Sequence, residues 1–263
     1  MSAHNDAGPG PAGERPSAEY VAPEPYYDEG GVTLYHGDCL DILPHITGAG
    51  LVLTSPPYNL SGDGNKPSGT YFRNLGAGYG EHDDAMPHGI YVGWQNQVVR
   101  ACWNTLADDG AIFYNHKPIV RGNQVRLPLE LVPPDLPIRQ IVTWDRGSGF
   151  NRQFTYFVPT YEWVMIVAKP EFRLTTRSVD DVWRIPFEVG GEHPAPFPLK
   201  FARTAINSTG ASLVVDPFAG SGTTLRAAKD CGRRAIGIEL NERFCEIAAR
   251  RLAQEVLDFG GAV

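Results

Sequence analysis

Two short stretches of this chain hold residue types that could do chemistry. The first is Leu51-Val-Leu-Thr-Ser-Pro-Pro-Tyr-Asn-Leu60, where an apolar run stops abruptly at two prolines and an aromatic follows. Each proline lacks an N–H and fixes φ, so the turn is stiff and its carbonyl oxygens are free to accept hydrogen bonds. Ser55 adds a side-chain acceptor, and Tyr58 offers a flat face for stacking. These parts suit the gripping of a base's exocyclic amine, which is a poor nucleophile because its lone pair is delocalised into the ring. Two acceptors at about 3 Å can hold both amine protons and turn the lone pair toward an electrophile. The Ser55 hydroxyl and the Pro56 carbonyl would be those acceptors, with Pro57 stiffening the turn and Tyr58 stacked on a base flipped from its duplex. The plain alternative is a strand-ending Pro-Pro turn with no chemical role.

The second stretch, Leu213-Val-Val-Asp-Pro-Phe-Ala-Gly-Ser-Gly-Thr-Thr224, runs from an apolar strand through a glycine turn into a helix. Gly220 and Gly222 let backbone N–H groups approach a ligand, and a helix start favours negative charge. Asp216 ends the strand, at the edge where open α/β sheets bind ligands. No lysine precedes Thr223 and Thr224, so this is not a nucleotide phosphate loop, and it does not fit the dinucleotide glycine pattern. A further strand, Ala235-Ile-Gly-Ile-Glu-Leu240, ends in Glu239, an acid placed to accept hydrogen bonds from ribose hydroxyls.

Outward from these stretches, apolar runs alternate with amphipathic ones from Gly31 onward. Strands are predicted at Val32–His36, Leu51–Thr54, Ala111–Asn115, Ile138–Trp144, Glu162–Ala168, Leu213–Val215 and Ala235–Glu239. Helices are predicted at Tyr91–Leu106, at Thr223–Cys231 with Gly232 as its stop, and from an Asn241 cap through Leu257. Alternating strands and helices imply an α/β fold with a doubly wound, mostly parallel sheet. Residues 1–30 are rich in Pro, Gly, Ala and acids and read as a disordered acidic tail, leaving 31–263 as a single domain.

The chain has 263 residues, 23 Lys+Arg and 30 Asp+Glu, for a net charge of −7. That balance argues against a simple basic protein that coats DNA. Much of the negative charge, however, sits in the tail, where six acids face Arg15 alone. The stretch from Lys117 to Arg203 carries more basic than acidic residues and could hold an anionic polymer. The four cysteines are scattered, with no C-x-x-C pair, so neither a disulfide scaffold nor a zinc site is expected and a reducing compartment fits. With neither a secretory signal nor an apolar run of membrane-spanning length, a cytoplasmic protein is expected.

In combination, these stretches resemble the site-specific DNA amino-methyltransferases, which act on N4 of cytosine or N6 of adenine. TSPPYN (Thr54–Asn59) resembles the family's catalytic motif, DPFAGSGTT (Asp216–Thr224) its cofactor loop, and GIEL (Gly237–Leu240), HGDCL (His36–Leu40) and HPAPFP (His193–Pro198) three further blocks. The tetrad precedes the cofactor loop, the permuted order of the β class; methyltransferases that modify protein glutamine place the loop first. The resemblance implies a Rossmann-like seven-stranded methyltransferase sheet, S-adenosyl-L-methionine as cofactor, and double-stranded DNA as partner. It carries Ser55, Pro56, Pro57 and Tyr58 over as catalytic residues. Thr54, Asp216, Pro217, Phe218, Gly220, Ser221 and Gly222 would surround the cofactor, Glu239 its ribose and Asp38 and Cys39 its adenine, while Phe197 and Pro198 would close the pocket. Phe197 replaces a lysine that the family often has in this block, which leaves backbone N–H groups to meet the cofactor carboxylate. His193 reads as a turn residue before Pro194, and no metal is expected.

A serine at the head of the tetrad is commoner among enzymes acting on cytosine N4, so that base is favoured over adenine N6. The Pro-Cys pair of C5 enzymes is absent. Only about 171–192 is left for target recognition, with Asn65–Asp84 as a candidate DNA loop and Arg146, Arg152, Arg173 and Arg177 as candidate contacts. A homodimer would add DNA-binding surface. Competing readings are an RNA amino-methyltransferase, disfavoured by the lack of an RNA-binding module, and a non-catalytic partner subunit, disfavoured by the intact tetrad and glycine turn.

Overall fold

The computed structural model describes residues 23–60, 85–149, 154–187 and 197–254. Outside them lie most of the acidic tail, the Asn65–Asp84 loop, Arg152, His193 and all of HPAPFP but its last two residues, 188–192 of the expected recognition segment, and 255–257 of the last expected helix.

Eleven strands form among the described residues: β1 (Tyr27–Glu29), β2 (Val32–His36), β3 (Ala49–Thr54), β4 (Leu106–His116), β5 (Ile119–Arg121), β6 (Gln124–Arg126), β7 (Ile138–Asp145), β8 (Tyr161–Ala168), β9 (Val182–Arg184), β10 (Leu213–Asp216) and β11 (Arg234–Glu239). The helices are α1 (Cys39–Ile42), α2 (His88–Thr105), α3 (Leu199–Asn207), α4 (Thr223–Asp230) and α5 (Glu242–Ala253). Nine strands make one sheet in the order β1-β2-β11-β10-β3-β4-β8-β7-β9, and β5 and β6 form a separate hairpin. The seven expected strands are its centre, with β2, β11, β10, β3 and β4 parallel and β8 antiparallel to both β4 and β7.

Two edge strands extend the seven. Tyr27–Glu29, expected within the disordered tail, pairs antiparallel with β2, so order begins before Gly31. Val182–Arg184, within the segment expected for target recognition, pairs with β7 and buries Trp183 in the core. That stretch therefore belongs in part to the scaffold.

Successive side chains of a strand point to opposite faces, and here both faces are covered. Leu51 and Leu53 of β3 and Phe113 of β4 join a core shared with α3, α4 and α5. Val52, Ile112 and Tyr114 join a second core with α1 and α2. In α2, Tyr91, Gln95, Val98, Val99 and Cys102 are buried at helical spacing. The sheet explains the unusual motif order. The chain passes from β2 to β3 across two places, which β10 and β11 later fill. The glycine-turn strand, late in sequence, thus lies directly beside the tetrad strand. Among the described residues no helix is long and apolar enough to cross a membrane.

Candidate active site

The carboxyl ends of β2, β11, β10, β3 and β4 lie along one edge of the sheet. The last strand residues Glu239, Asp216 and His116 stand there, and the loops that leave it carry Asp38 and Ser55. Because β8 runs antiparallel to β4, its amino end reaches the same edge and brings Glu162 there.

The glycine turn is built by local contacts. Gly220 and Gly222 have φ of 51° and 78°, which a side chain would strain, and Gly222 caps α4. Gly237 on β11 has no room for a Cβ, which would come within 2.6 Å of Leu225 and 3.0 Å of Ala219. That closeness lets the turn sit on the strand. The Gly220 N–H donates to Glu239 at 2.8 Å, and the Asn241 N–H to its other oxygen at 2.9 Å. Burial raises the Glu239 carboxyl above its ordinary range, while those two backbone donors pull it down.

Asp216 is turned inward, 2% exposed. Its carboxylate accepts from the Thr224 hydroxyl at 2.5 Å, the Thr54 hydroxyl at 2.8 Å and the Phe218 N–H at 3.1 Å. Burial pushes its carboxyl up to about 6 against these three bonds. Asp216 and Thr54, expected to line the cofactor pocket, have buried side chains that bond to each other. The bond between them bolts the glycine turn to the strand that ends in the tetrad. Cys39, the first residue of α1, is likewise buried, and its neighbour Asp38 is exposed at the edge and caps α1 by accepting from the Leu40 N–H at 2.9 Å. Pro217, Ser221 and Gly222 are buried and Phe218 and Gly220 half-buried, with the Phe218 ring 5.7 Å from Trp94 of α2. Phe197 and Pro198 are buried ahead of α3, and Phe197 packs on Phe201 at 4.9 Å in the core.

The tetrad is held by residues far away in sequence. The Tyr58 hydroxyl donates to Glu162 Oε2 at 2.8 Å and lies 3.0 Å from the Ser55 hydroxyl. Asn115 Nδ2 donates to Glu162 and to the Tyr58 oxygen, each at 2.8 Å, and sits 3.3 Å from Ser55 Oγ. Arg146 pairs with the other oxygen of Glu162 at 3.0 Å and donates to the Pro159 carbonyl. Arg146, expected to touch DNA, instead braces the tetrad from within. Burial raises the Tyr58 phenol well above its ordinary value, and the Glu162 charge adds to this. The Tyr58 ring lies 4.2 Å from that of His116, and burial lowers the His116 imidazole to about 3, so the ring is neutral. Tyr91 of α2 completes the frame, with its hydroxyl 2.8 Å from the Pro57 carbonyl and 3.0 Å from His116 Nε2.

Sequence reasoning does not find Glu162, Asn115, His116 or Tyr91. A signal exists for Glu162: a lone acid in the apolar run Tyr-Glu-Trp-Val-Met-Ile-Val-Ala must find a partner when buried. Of the remaining arginines, Arg173 is exposed and donates to the Pro170 and Phe172 carbonyls, and Arg177 is at the surface. No group of metal-binding side chains occurs among the described residues.

A Rossmann-like sheet with a glycine turn beside a Ser-Pro-Pro-Tyr turn defines a methyltransferase-type site, and similarity to known proteins agrees. The DNA methylase family matches residues 49–250, and the chain belongs to that family. The Type II methyltransferase M2.MboI of Moraxella bovis is 28% identical over 254 residues, 87% of this chain and 90% of its own. Among solved structures, the cytosine-N4-specific PvuII DNA methyltransferase superposes with a TM-score of 0.69 at 19% identity, covering 88% of this chain and 89% of its own. The Thermus thermophilus protein TTHA0409, solved with S-adenosyl-L-methionine, gives 0.59 at 24% identity over 86% of this chain and 95% of its own.

Proposed function

We propose that this protein transfers a methyl group from S-adenosyl-L-methionine to the exocyclic amine of a base flipped from double-stranded DNA, and that the base is cytosine, methylated at N4. The observation that carries the reading is the Thr54–Asp216 hydrogen bond, which fixes the glycine turn and the tetrad side by side at one sheet edge. Family membership supplies the DNA substrate class.

The residues present suit the cofactor. Glu239 is half-buried at a strand end, and its two oxygens, held by backbone donors, keep acceptor capacity for a ribose hydroxyl. The Gly220–Gly222 turn offers a close approach without side chains, and Asp38 stands at the neighbouring strand end. When bound, the cofactor supplies an electrophilic methyl group on a sulfonium. The chain's own part is to hold the amine. The Ser55 hydroxyl and Pro56 carbonyl accept hydrogen bonds from its two N–H groups and turn its lone pair toward the methyl group, one amine proton passing to solvent once the N–C bond has formed, while Tyr58, braced on His116, stacks on the base.

Phe154 and Phe157 stand fully exposed in the loop between β7 and β8, which opens on the same edge. Such an unsheltered pair suits contact with unstacked bases. Cytosine is favoured because the tetrad begins with a serine. The test is nucleoside mass spectrometry of unmethylated DNA incubated with the protein and S-adenosyl-L-methionine. New N4-methyldeoxycytidine is expected. N6-methyldeoxyadenosine instead would transfer the reading to adenine, and no methylated nucleoside would overturn it.

A further inference from the structure

The hydrogen bonds under the tetrad have a fixed direction, and that direction has a chemical consequence. Glu162 is 6% exposed and paired with Arg146, so its carboxylate is an acceptor only. The single phenol proton of Tyr58 is spent on Glu162 at 2.8 Å. The Tyr58 oxygen can then only accept, and it does so from Asn115 Nδ2 at 2.8 Å and from Ser55 at 3.0 Å. Asn115 Nδ2 is a donor only, to Glu162 and Tyr58 at 2.8 Å and to Ser55 at 3.3 Å, so it offers the Ser55 proton no acceptor. The Ser55 proton is therefore directed inward, and the half-buried hydroxyl has only lone pairs to offer outward. Asn115 Oδ1, buried in the same cluster, is a further acceptor with no partner. An amide flip cannot relieve it, since that would set Oδ1 against the Glu162 carboxylate. A buried acceptor left without a donor is rare and calls for one.

We propose that Glu162 is a positioning residue that sets the donor–acceptor polarity of the base pocket through Tyr58 and Ser55. The site then takes a base carrying an exocyclic amine and rejects one carrying a carbonyl at that position. The polarity selects cytosine over uracil, or adenine over hypoxanthine, whichever amine is methylated. The inference rests on the amine-methylation reading above, and it makes Glu162 the determinant of target chemistry although it need not touch the base.

The test compares binding rather than turnover. The target position is first mapped by sequencing DNA methylated by the wild-type protein. Labelled duplexes carrying either the target base or its carbonyl counterpart are then titrated with the protein in the presence of S-adenosyl-L-homocysteine. The ratio of the two dissociation constants is read for wild type and for Glu162→Gln. Any ease of opening a mismatched base is common to both proteins and cancels in this comparison. The substituted amide keeps the shape of the glutamate side chain but can donate to the Tyr58 oxygen. The Tyr58 proton can then turn to Ser55 and the Ser55 proton outward. The preference for the amine is expected to fall by about 10-fold or more, the scale of a buried polar group left unmatched. Affinity for S-adenosyl-L-homocysteine should stay within about 2-fold.

An unchanged ratio in a folded Glu162→Gln protein overturns the proposal. Should that variant fail to fold because Arg146 has lost its partner, Tyr58→Phe severs the chain at its middle link. It must show the same loss of preference, and an unchanged ratio there overturns the proposal equally. A wild-type protein that methylates no DNA amine removes the underlying reading before any variant is made. Methylation by the wild type with unchanged ratios removes the polarity inference alone.

Discussion

The two halves of the site are built in different ways. The glycine turn is mostly a local structure. Asp216 bonds Phe218 and Thr224, Gly220 bonds Glu239, and the glycines' own backbone angles shape the loop. The tetrad is assembled at long range, from Glu162 on β8, Asn115 on β4 and Arg146 after β7, with only Ser55 and Tyr58 close in sequence. A ligand pocket that mainly needs backbone donors can be carried by a few consecutive residues. A pocket that must hold a base amine in one orientation needs side chains fixed in a buried network, and a sheet gathers these from several strands. The halves are joined by the side-chain bond from Thr54 to Asp216 and by the pairing of β10 with β3.

The sharpest way to break this contrast is Tyr58→Ala. It removes the stacking face and the middle of the network while leaving the glycine turn untouched. Methyl transfer should fall by roughly 100-fold, from stacking worth about 1–3 kcal/mol per base. Calorimetric titration should find cofactor affinity within about 2-fold of wild type, and unchanged transfer would contradict the stacking role.

The bolt itself comes next. Asp216→Ala leaves the donors of Thr54, Thr224 and Phe218 unmatched in a buried place and should cost about 3–5 kcal/mol in urea unfolding. Cofactor affinity should fall with it. A loss below about 1 kcal/mol, the net worth of a single ordinary hydrogen bond, would show that the turn is held by other means.

Asp216 also gives a pH signature. Its folded value of about 6 lies above the ordinary 3.8, so between those values the folded state holds the proton more tightly than the unfolded one. Stability from this group is therefore lost as pH rises from about 4 to 6, by up to roughly 3 kcal/mol. His116, lowered to about 3, works in the opposite sense and loses stability as pH falls below its ordinary 6.5. Asp216→Asn should delete only the first slope. Unfolding curves recorded from about pH 4 to 7 for both proteins check this, and identical slopes would deny the buried carboxyl its shifted titration.

The smallest effect is expected at the rim. Phe157→Ala should weaken DNA binding by about 5–10-fold with stability unchanged, because the ring is already fully exposed. Anisotropy titration with duplex DNA reads this, and equal affinity would remove the loop from the interface.

The same contrast decides what can be read in the sequence. The seven central strands are legible because each is an apolar run bounded by turn residues. The glycine turn is legible because its residues are consecutive. The edge strands Tyr27–Glu29 and Val182–Arg184 are not, since each is only three residues long, too short to show an alternating side-chain pattern, and each joins the sheet through backbone bonds. Helix α3 escapes the sequence reading although Phe201, Ala202, Ala205 and Ile206 are buried at helical spacing just after Pro198. The role of Arg146 is hidden because a surface arginine and a buried, paired one look alike until the strand order is known. Asp216 stands out in the sequence, but its inward direction depends on β10 lying next to β3, which sequence order conceals.

If the two halves are built separately, they should also fail separately. Ser55→Ala tests this most directly, with cofactor binding by calorimetry and methyl transfer to DNA measured on the same preparation. Cofactor affinity within about 2-fold of wild type and transfer reduced by roughly 10–100-fold, the scale of one lost amine-holding hydrogen bond, is the expected result. Loss of both together, or transfer at the wild-type rate, would contradict it.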